Sequence, residues 1–260
     1  MEKKTIWIII LSIILIVGII VVLWLIYGGK TEEETEATVS PSQGEGYINV
    51  GTEAAHNLIE ENPDIIIIDV SSKYDEGHIP EALNYYVGDG SLDVAIPDLD
   101  KNVPYLVYCH FDNAAIEGAE KLVNAGVKKV YRLEGNFGAW EGGGYPVEIP
   151  LNAVGSFEGS GKSIRSYLGN EFYNRVEAEI SDPEAGKFYE GWLVNEGGDF
   201  FSTGKMTKEN GKYVLEYSAS EDQYSYYKVV VTQESESLGL DGVPETHVLE
   251  GEFNQVEIPS

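Results

Sequence analysis

Three short apolar runs in the first half of the chain most constrain its fold. They are Ile65–Val70, Pro104–Cys109 and Lys128–Leu133, and each is rich in β-branched or aromatic residues. Runs that are apolar on both faces are typical of parallel strands covered by helices. Helical patterns lie between them, over Glu53–Glu61 and Ala114–Asn124. The alternation of strand and helix predicts an α/β domain with a parallel sheet.

The only cysteine of the chain, Cys109, ends the second of these runs. It would lie where a parallel strand gives way to a helix, and α/β sheets bind ligands at this end of their strands. Helix N-termini stabilise anions, so the position predicts a lowered pKa for the thiol. The alternative is that Cys109 is a small buried apolar residue, as free cysteines often are. A single cysteine excludes an intramolecular disulfide and cysteine-rich zinc or iron–sulfur sites.

Motifs along this half of the chain resemble a rhodanese domain over about residues 47–149. In order, they are Asp69-Val70, Tyr74 with Gly77-His78-Ile79-Pro80, the strand-end Cys109, and Leu133-Glu134-Gly135 before Trp140. The resemblance implies a rhodanese-like α/β fold and a sulfurtransferase activity. Cys109 would attack a sulfur donor, hold the sulfane sulfur as a persulfide and pass it to an acceptor.

The same resemblance implies which residues surround that sulfur. The loop that would cradle it consists of His110, Phe111, Asp112, Asn113 and Ala114. Asp69 and His78 would support the loop structurally and take no part in the chemistry. Trp140 would pack in the core of the domain. No cofactor and no metal ion is implied, and the four histidines of the chain are scattered.

The loop departs from the family pattern at its charged positions. Asp112 stands where the family has a glycine, and Ala114 and Ser71 stand where it has arginines. A carboxylate beside the thiol opposes the thiolate and repels thiosulfate. His110 supplies a cation only near or below its usual pKa of about 6.5. We therefore expect weak thiosulfate activity at most, with a small sulfur donor or a protein persulfide as partner.

A second function stays open at this point. A catalytically inactive rhodanese fold could join the C-terminal half of the chain in a protein-binding module at the cell surface. Asp112 and Ala114 favour this interpretation, whereas the presence of Cys109 at the strand end favours the sulfur carrier.

Residues 164–255 carry a pattern typical of an all-β domain. Aromatic and β-branched segments alternate with turn signals such as Asp182-Pro183 and Asn210-Gly211, and the latter predicts a type I′ hairpin. Strands at this spacing predict a sandwich-like or barrel domain. Residues 150–163, rich in Gly and Ser, are expected to form an interdomain linker.

Four segments of this β-domain are similar to the extracytoplasmic C-terminal domain of anti-sigma-K-type factors. They are Phe188–Val194, Ser202–Gly204, Lys228–Thr232 and Glu250–Phe253. Sigma-factor binding is not implied, because only five residues precede the apolar N-terminal segment. A protein partner for the β-domain is an open expectation.

The N-terminal segment Ile6–Tyr27 is a run of 22 residues without a charge. At about 1.5 Å per residue it is long enough to span a bilayer as a helix, and a cleaved signal peptide is the alternative. Two lysines, Lys3 and Lys4, precede this run and only Lys30 directly follows it, which favours an N-terminus inside the cell. We expect a cytoplasmic tail over residues 1–5, a single-pass membrane anchor, a flexible acidic linker over residues 28–46, and extracytoplasmic domains.

The chain is strongly acidic, with 17 Lys and Arg against 44 Asp and Glu and a formal charge of −27. Nucleic-acid binders carry an excess of cations to meet the phosphates, so this balance argues against a nucleic-acid partner. Hydrophobic residues make up 43% of the chain, which is enough for packed cores and argues against a disordered acidic polymer.

Overall fold

The first half of the protein forms the predicted α/β domain. A computed structural model describes residues 46–256. Its elements in this half are β1 Ile48–Val50, α1 Thr52–Glu61, β2 Ile66–Asp69, β3 Leu83–Asn84, α2 Ser91–Ala95, β4 Pro104–Tyr108, α3 Asp112–Asn124, β5 Lys129–Leu133 and α4 Asn136–Gly142. The strands pair in parallel in the order β1-β5-β4-β2-β3. Each of the three apolar runs thus contributes a strand, as predicted.

Strand β4 lies in the middle of this sheet and is buried on both faces. Leu106 and Tyr108 belong to one apolar core, and Tyr105 and Val107 belong to the other. Neighbouring side chains of a strand point to opposite faces, so a continuous apolar run fits a sheet that is covered on both sides. Helix α3 packs closely on one face, because a Cβ on Gly118 would come within 3.0 Å of Val70.

The second half forms one antiparallel sheet of nine strands. They are β6 Val147–Ala153, β7 Ser160–Leu168, β8 Glu171–Glu179, β9 Lys187–Val194, β10 Phe200–Lys205, β11 Thr207–Glu209, β12 Lys212–Ala219, β13 Lys228–Ser235 and β14 Thr246–Glu252. Their order is β10-β9-β13-β14-β6-β7-β8-β12-β11. The all-β prediction for this half is confirmed. The predicted interdomain linker at 150–163 is wrong, because these residues contribute most of β6 and the start of β7.

The sheet curls until its two edges meet, so the sandwich-like arrangement of two sheets is wrong. Strands β10 and β11 lie at opposite edges of the sheet, yet they are consecutive in the chain and separated only by Met206. The Met206 N–H donates to the Tyr189 carbonyl on β9 at 2.8 Å, while β11 pairs with β12. One bent strand therefore joins both edges and closes the sheet into a barrel, the second form that the strand spacing predicted.

The Asn210-Gly211 hairpin is confirmed. Both residues have positive φ, 49° and 88°, as a type I′ turn requires, and Glu209 pairs with Lys212 across it.

The two halves share an interface at helix α4 and strand β6. His78, in the loop after β2, exchanges two backbone hydrogen bonds with Glu148 on β6, at 3.0 and 2.8 Å. Arg165 on β7 is 1% exposed and reaches Glu141 on α4 at 3.5 Å. The guanidinium also lies over the ring of Tyr224, 4.2 Å from its centroid. Strand β7 of the barrel therefore contacts α4, the last helix of the α/β domain.

None of the helices described over residues 46–256 is both long and apolar enough to cross a membrane. The predicted anchor at 6–27, the tail at 1–5 and nearly all of the linker at 28–46 lie outside the described residues.

Candidate active site

The carboxyl ends of three neighbouring parallel strands bring the candidate residues together. Asp69 ends β2, Cys109 follows β4, and Arg132 lies near the end of β5. In register, Asp69 faces Tyr108 and Arg132 faces Val107. The strand that precedes Cys109 is therefore flanked by strands that end near Asp69 on one side and Arg132 on the other. Sequence reasoning placed Cys109 and Asp69 at this edge but missed Arg132.

Cys109 is buried, with 1% of its surface exposed, at the start of the short loop that leads into α3. The backbone N–H groups of Phe111 and His110 lower the pKa of the thiol. Burial raises the pKa more strongly, and the carboxylates of Asp69 and Asp112 raise it further. The net shift is upward from the ordinary value, so the lowered pKa expected from the helix N-terminus is wrong. Desolvation of the sulfur outweighs the amide dipoles.

Asp69 and His110 face each other beside the cysteine. Asp69 is fully buried; its Oδ1 accepts a hydrogen bond from the Ser71 N–H at 2.8 Å, while its Oδ2 lies 4.0 Å from His110 Nε2. Burial raises the pKa of Asp69 from 3.8 to about 6. Burial also lowers the pKa of His110, whose ring stacks on Phe137 at 4.5 Å. The lowered pKa favours the neutral form of the His110 imidazole at neutral pH.

Asp112 is the first residue of α3 and forms an ion pair with Arg132. The guanidinium Nη1 donates to Asp112 Oδ1 at 3.1 Å, and its Nε donates to Asn49 Oδ1 at 2.6 Å. The Arg132 side chain is 7% exposed, whereas that of Asp112 is 52% exposed. The guanidinium of Arg132 is thus already paired with a carboxylate of the loop.

The other loop residues carry no charge. Phe111 is 62% exposed and Asn113 is exposed, while Ala114 is half-buried at the start of α3. Ser71 is buried, and its hydroxyl accepts a hydrogen bond from the Lys73 N–H at 3.2 Å. Of the five predicted loop residues, His110, Phe111 and Asp112 act on the thiol of Cys109, and neither Ser71 nor Ala114 supplies a cation.

His78 has partners that hold the loop and the barrel together. Its Nδ1 lies 3.0 Å from the Tyr74 carbonyl, its Nε2 lies 3.3 Å from Glu148 Oε1, and its ring stacks on Tyr74. These contacts tie the loop after β2 to strand β6. Trp140 is buried in the core, and its indole N–H donates to the Pro146 carbonyl at 2.8 Å.

No group of three or more His, Cys, Asp or Glu side chains in the described part of the chain could hold a metal ion. This edge of the sheet holds the Cys109 thiol, the carboxyl groups of Asp69 and Asp112, and the Arg132 guanidinium that pairs with Asp112.

Comparison with known proteins assigns this half of the chain. The family model for the rhodanese-like domain matches residues 52–142. Thiosulfate sulfurtransferases named GlpE from strains of Coxiella burnetii are 38% identical over 80 residues, which cover 30% of this chain and 73% of the relative. The chain belongs to the rhodanese-like family. Residues 52–142 form a rhodanese-like sulfurtransferase domain, and the catalytically inactive alternative is not favoured by these matches.

Solved structures of rhodanese-like proteins are also similar to this chain. The solution NMR structure of a rhodanese-like domain from Anabaena sp. is 29% identical, covers 39% of this chain and 78% of its own, and has a TM-score of 0.36. A rhodanese-like domain protein from Staphylococcus aureus is 26% identical, covers 35% of this chain and 89% of its own, and has a TM-score of 0.30.

Proposed function

We propose that this rhodanese-like protein carries sulfane sulfur as a persulfide on Cys109. The observation that carries the proposal is the position of the thiol in the matched domain, at the end of β4 and at the start of the loop into α3. The backbone N–H groups of His110 and Phe111 in this loop lower the pKa of the thiol. Such amides stabilise negative charge that develops on sulfur during transfer.

The proposed reaction needs no added oxidant or reductant. The Cys109 thiolate attacks the outer sulfur of a persulfide donor, R–S–SH, and forms a new S–S bond. The S–S bond of the donor breaks, its electron pair leaves on the inner sulfur, and the proton lost by Cys109 ends on that leaving thiolate. Cys109 then holds one extra sulfur, which a second nucleophile removes in the same way. The raised pKa of Cys109 keeps the thiolate fraction small at neutral pH, so the loading step is expected to be slow.

Turnover with cyanide as acceptor tests this function. The purified chain is given an organic persulfide and cyanide, and thiocyanate is measured over time. We expect thiocyanate formation by the wild type and none above background by Cys109→Ser. Ala125→Ser, a change at the far end of α3, serves as the matched control and should keep the wild-type rate. A Cys109→Ser variant that folds and still forms thiocyanate at the wild-type rate would refute the role of Cys109.

We further propose that this carrier is membrane-anchored through residues 6–27 and exposes both domains outside the cytoplasm. The uncharged run of 22 residues supports the anchor, since its length matches a bilayer core. Resemblance of the β-domain to the C-terminal domain of anti-sigma-K-type factors supports a role at the cell surface, where it would bind a protein partner. Protease treatment of intact spheroplasts tests the orientation: the domains should be digested without lysis, and protection until lysis would refute it.

A further inference from the structure

The charges around Cys109 bear on which donors it can accept. Arg132 contributes a guanidinium at the end of the neighbouring strand, but its Nε and Nη1 donate to Asn49 and Asp112. Lys73, whose charge acts on His110, is paired with Glu76 at 2.7 Å. Over residues 46–256, Arg132 and Lys73 are thus each paired with a carboxylate.

Asp112 has two effects at once. Its carboxylate occupies Arg132, and its negative charge also acts on the Cys109 sulfur, whose pKa it raises. Because its side chain is half exposed at the start of α3, it faces solvent at the loop where a donor must approach. Asp69 adds a second carboxylate whose charge also raises the pKa of the same thiol.

An approaching anion therefore meets negative charge. Thiosulfate is a small dianion whose charge lies one bond from the sulfur that is transferred, so it must bring that charge to the loop. An alkyl persulfide with a neutral or cationic carrier group reacts in its protonated R–S–SH form, which brings no such charge. The exposed ring of Phe111 offers an apolar contact beside the loop for the carrier group.

We propose that Asp112 is a specificity-determining residue that excludes dianionic donors and selects persulfides with a neutral or cationic carrier group. The proposal rests on the proposed function of Cys109 as a sulfur carrier. Asp112→Asn removes the carboxylate and leaves Arg132 without its charged partner, so this variant should accept dianionic donors more readily.

The test compares loading rates of Cys109 in the full chain by rapid quenching and intact mass. The donors are thiosulfate, glutathione persulfide, 2-mercaptoethanol persulfide and cysteamine persulfide, which range from dianion to cation. The readout is the ratio of the thiosulfate rate to the 2-mercaptoethanol persulfide rate, because a change in thiol pKa alone alters both rates together. Glu117→Gln is the matched control: it lies on the same helix, is 55% exposed and removes the same charge.

In the wild type we expect cysteamine persulfide to load fastest and thiosulfate slowest. Asp112→Asn should raise the ratio at least about tenfold, the effect of a charge interaction equivalent to one pKa unit. Glu117→Gln should leave the ratio within about twofold, because exposed charges at a distance are screened. Added salt should raise the thiosulfate rate of the wild type and leave the 2-mercaptoethanol persulfide rate unchanged.

An unchanged ratio in Asp112→Asn, or an equal rise in Glu117→Gln, overturns the proposal and leaves the carrier function intact. The proposal is also overturned, without any variant, if the wild type loads thiosulfate fastest and added salt does not raise that rate. Failure of every donor to load Cys109 overturns both the proposal and the carrier function.

Discussion

The buried carboxyl group of Asp69 gives a prediction about stability and pH. Burial raises its pKa from 3.8 to about 6, a shift of about 2 pH units. At about 1.4 kcal/mol per unit, the ionised carboxylate costs the folded state about 3 kcal/mol. Asp69→Asn removes this cost and keeps the hydrogen bond from the Ser71 N–H, since an amide oxygen replaces Oδ1. The new amide N–H faces His110 Nε2, which has no hydrogen-bond partner.

Proton binding at Asp69 sets whether stability rises or falls with pH. Between pH 3.8 and about 6 the folded protein binds more protons at Asp69 than the unfolded chain does, so stability falls as pH rises through this window. The contribution is fully present below pH 3.8 and lost above about pH 6. The free energy of unfolding of Asp69→Asn should therefore equal that of the wild type near pH 4. At pH 7.5 it should exceed the wild-type value by up to about 3 kcal/mol.

Urea unfolding, followed by tryptophan fluorescence from pH 4 to pH 7.5, measures this difference. Asp64→Asn is the control, because Asp64 is an exposed residue just before the same strand and its substitution removes an equal charge. Its difference from the wild type should stay small and constant with pH. An Asp69→Asn variant that is no more stable than the wild type at pH 7.5 would show that the carboxylate is not penalised by burial.

Three further predictions concern the thiol, the loop and the interface. Alkylation of Cys109 by iodoacetamide should show a pH midpoint above the ordinary 9.0, and a midpoint below it would contradict the shift. Ala114→Arg should increase thiosulfate turnover, measured as thiocyanate; an unchanged rate would point to Asp112 or loop geometry as the main deficit. Arg165→Met should reduce the free energy of unfolding by about 3–5 kcal/mol because it leaves the buried carboxylate of Glu141 without its cationic partner. Adding Glu141→Gln should restore part of that loss, and no recovery would refute the pairing.

The α/β half could be predicted from sequence because its signals are local. Buried parallel strands read as continuous apolar runs, and Cys109 stands at the end of one of them. The start of the barrel could not be predicted from such local signals. Pro150 and the polar start of β7 resemble a linker, yet Pro150 is tolerated in β6, which pairs with β14 only at Asn152 and Ala153.

Two features of the site depend on contacts between distant residues. Arg132 lies beside the loop only because β5 pairs with β4 in a register that places it opposite Val107, which no local pattern reveals. The direction of the Cys109 pKa shift depends on how fully the sulfur is buried and on how close Asp69 lies. Sequence position suggested the amides at the helix start but not the desolvation that outweighs them.

Intact mass of the protein after exposure to a persulfide donor tests the central claim most directly. After removal of excess donor, we expect one added sulfur atom, released by cyanide and absent in Cys109→Ser. The peptide that contains Cys109 should carry the adduct. A wild-type mass that stays unchanged with thiosulfate and with neutral and cationic persulfides, in folded protein, would contradict the claim that this thiol carries sulfur.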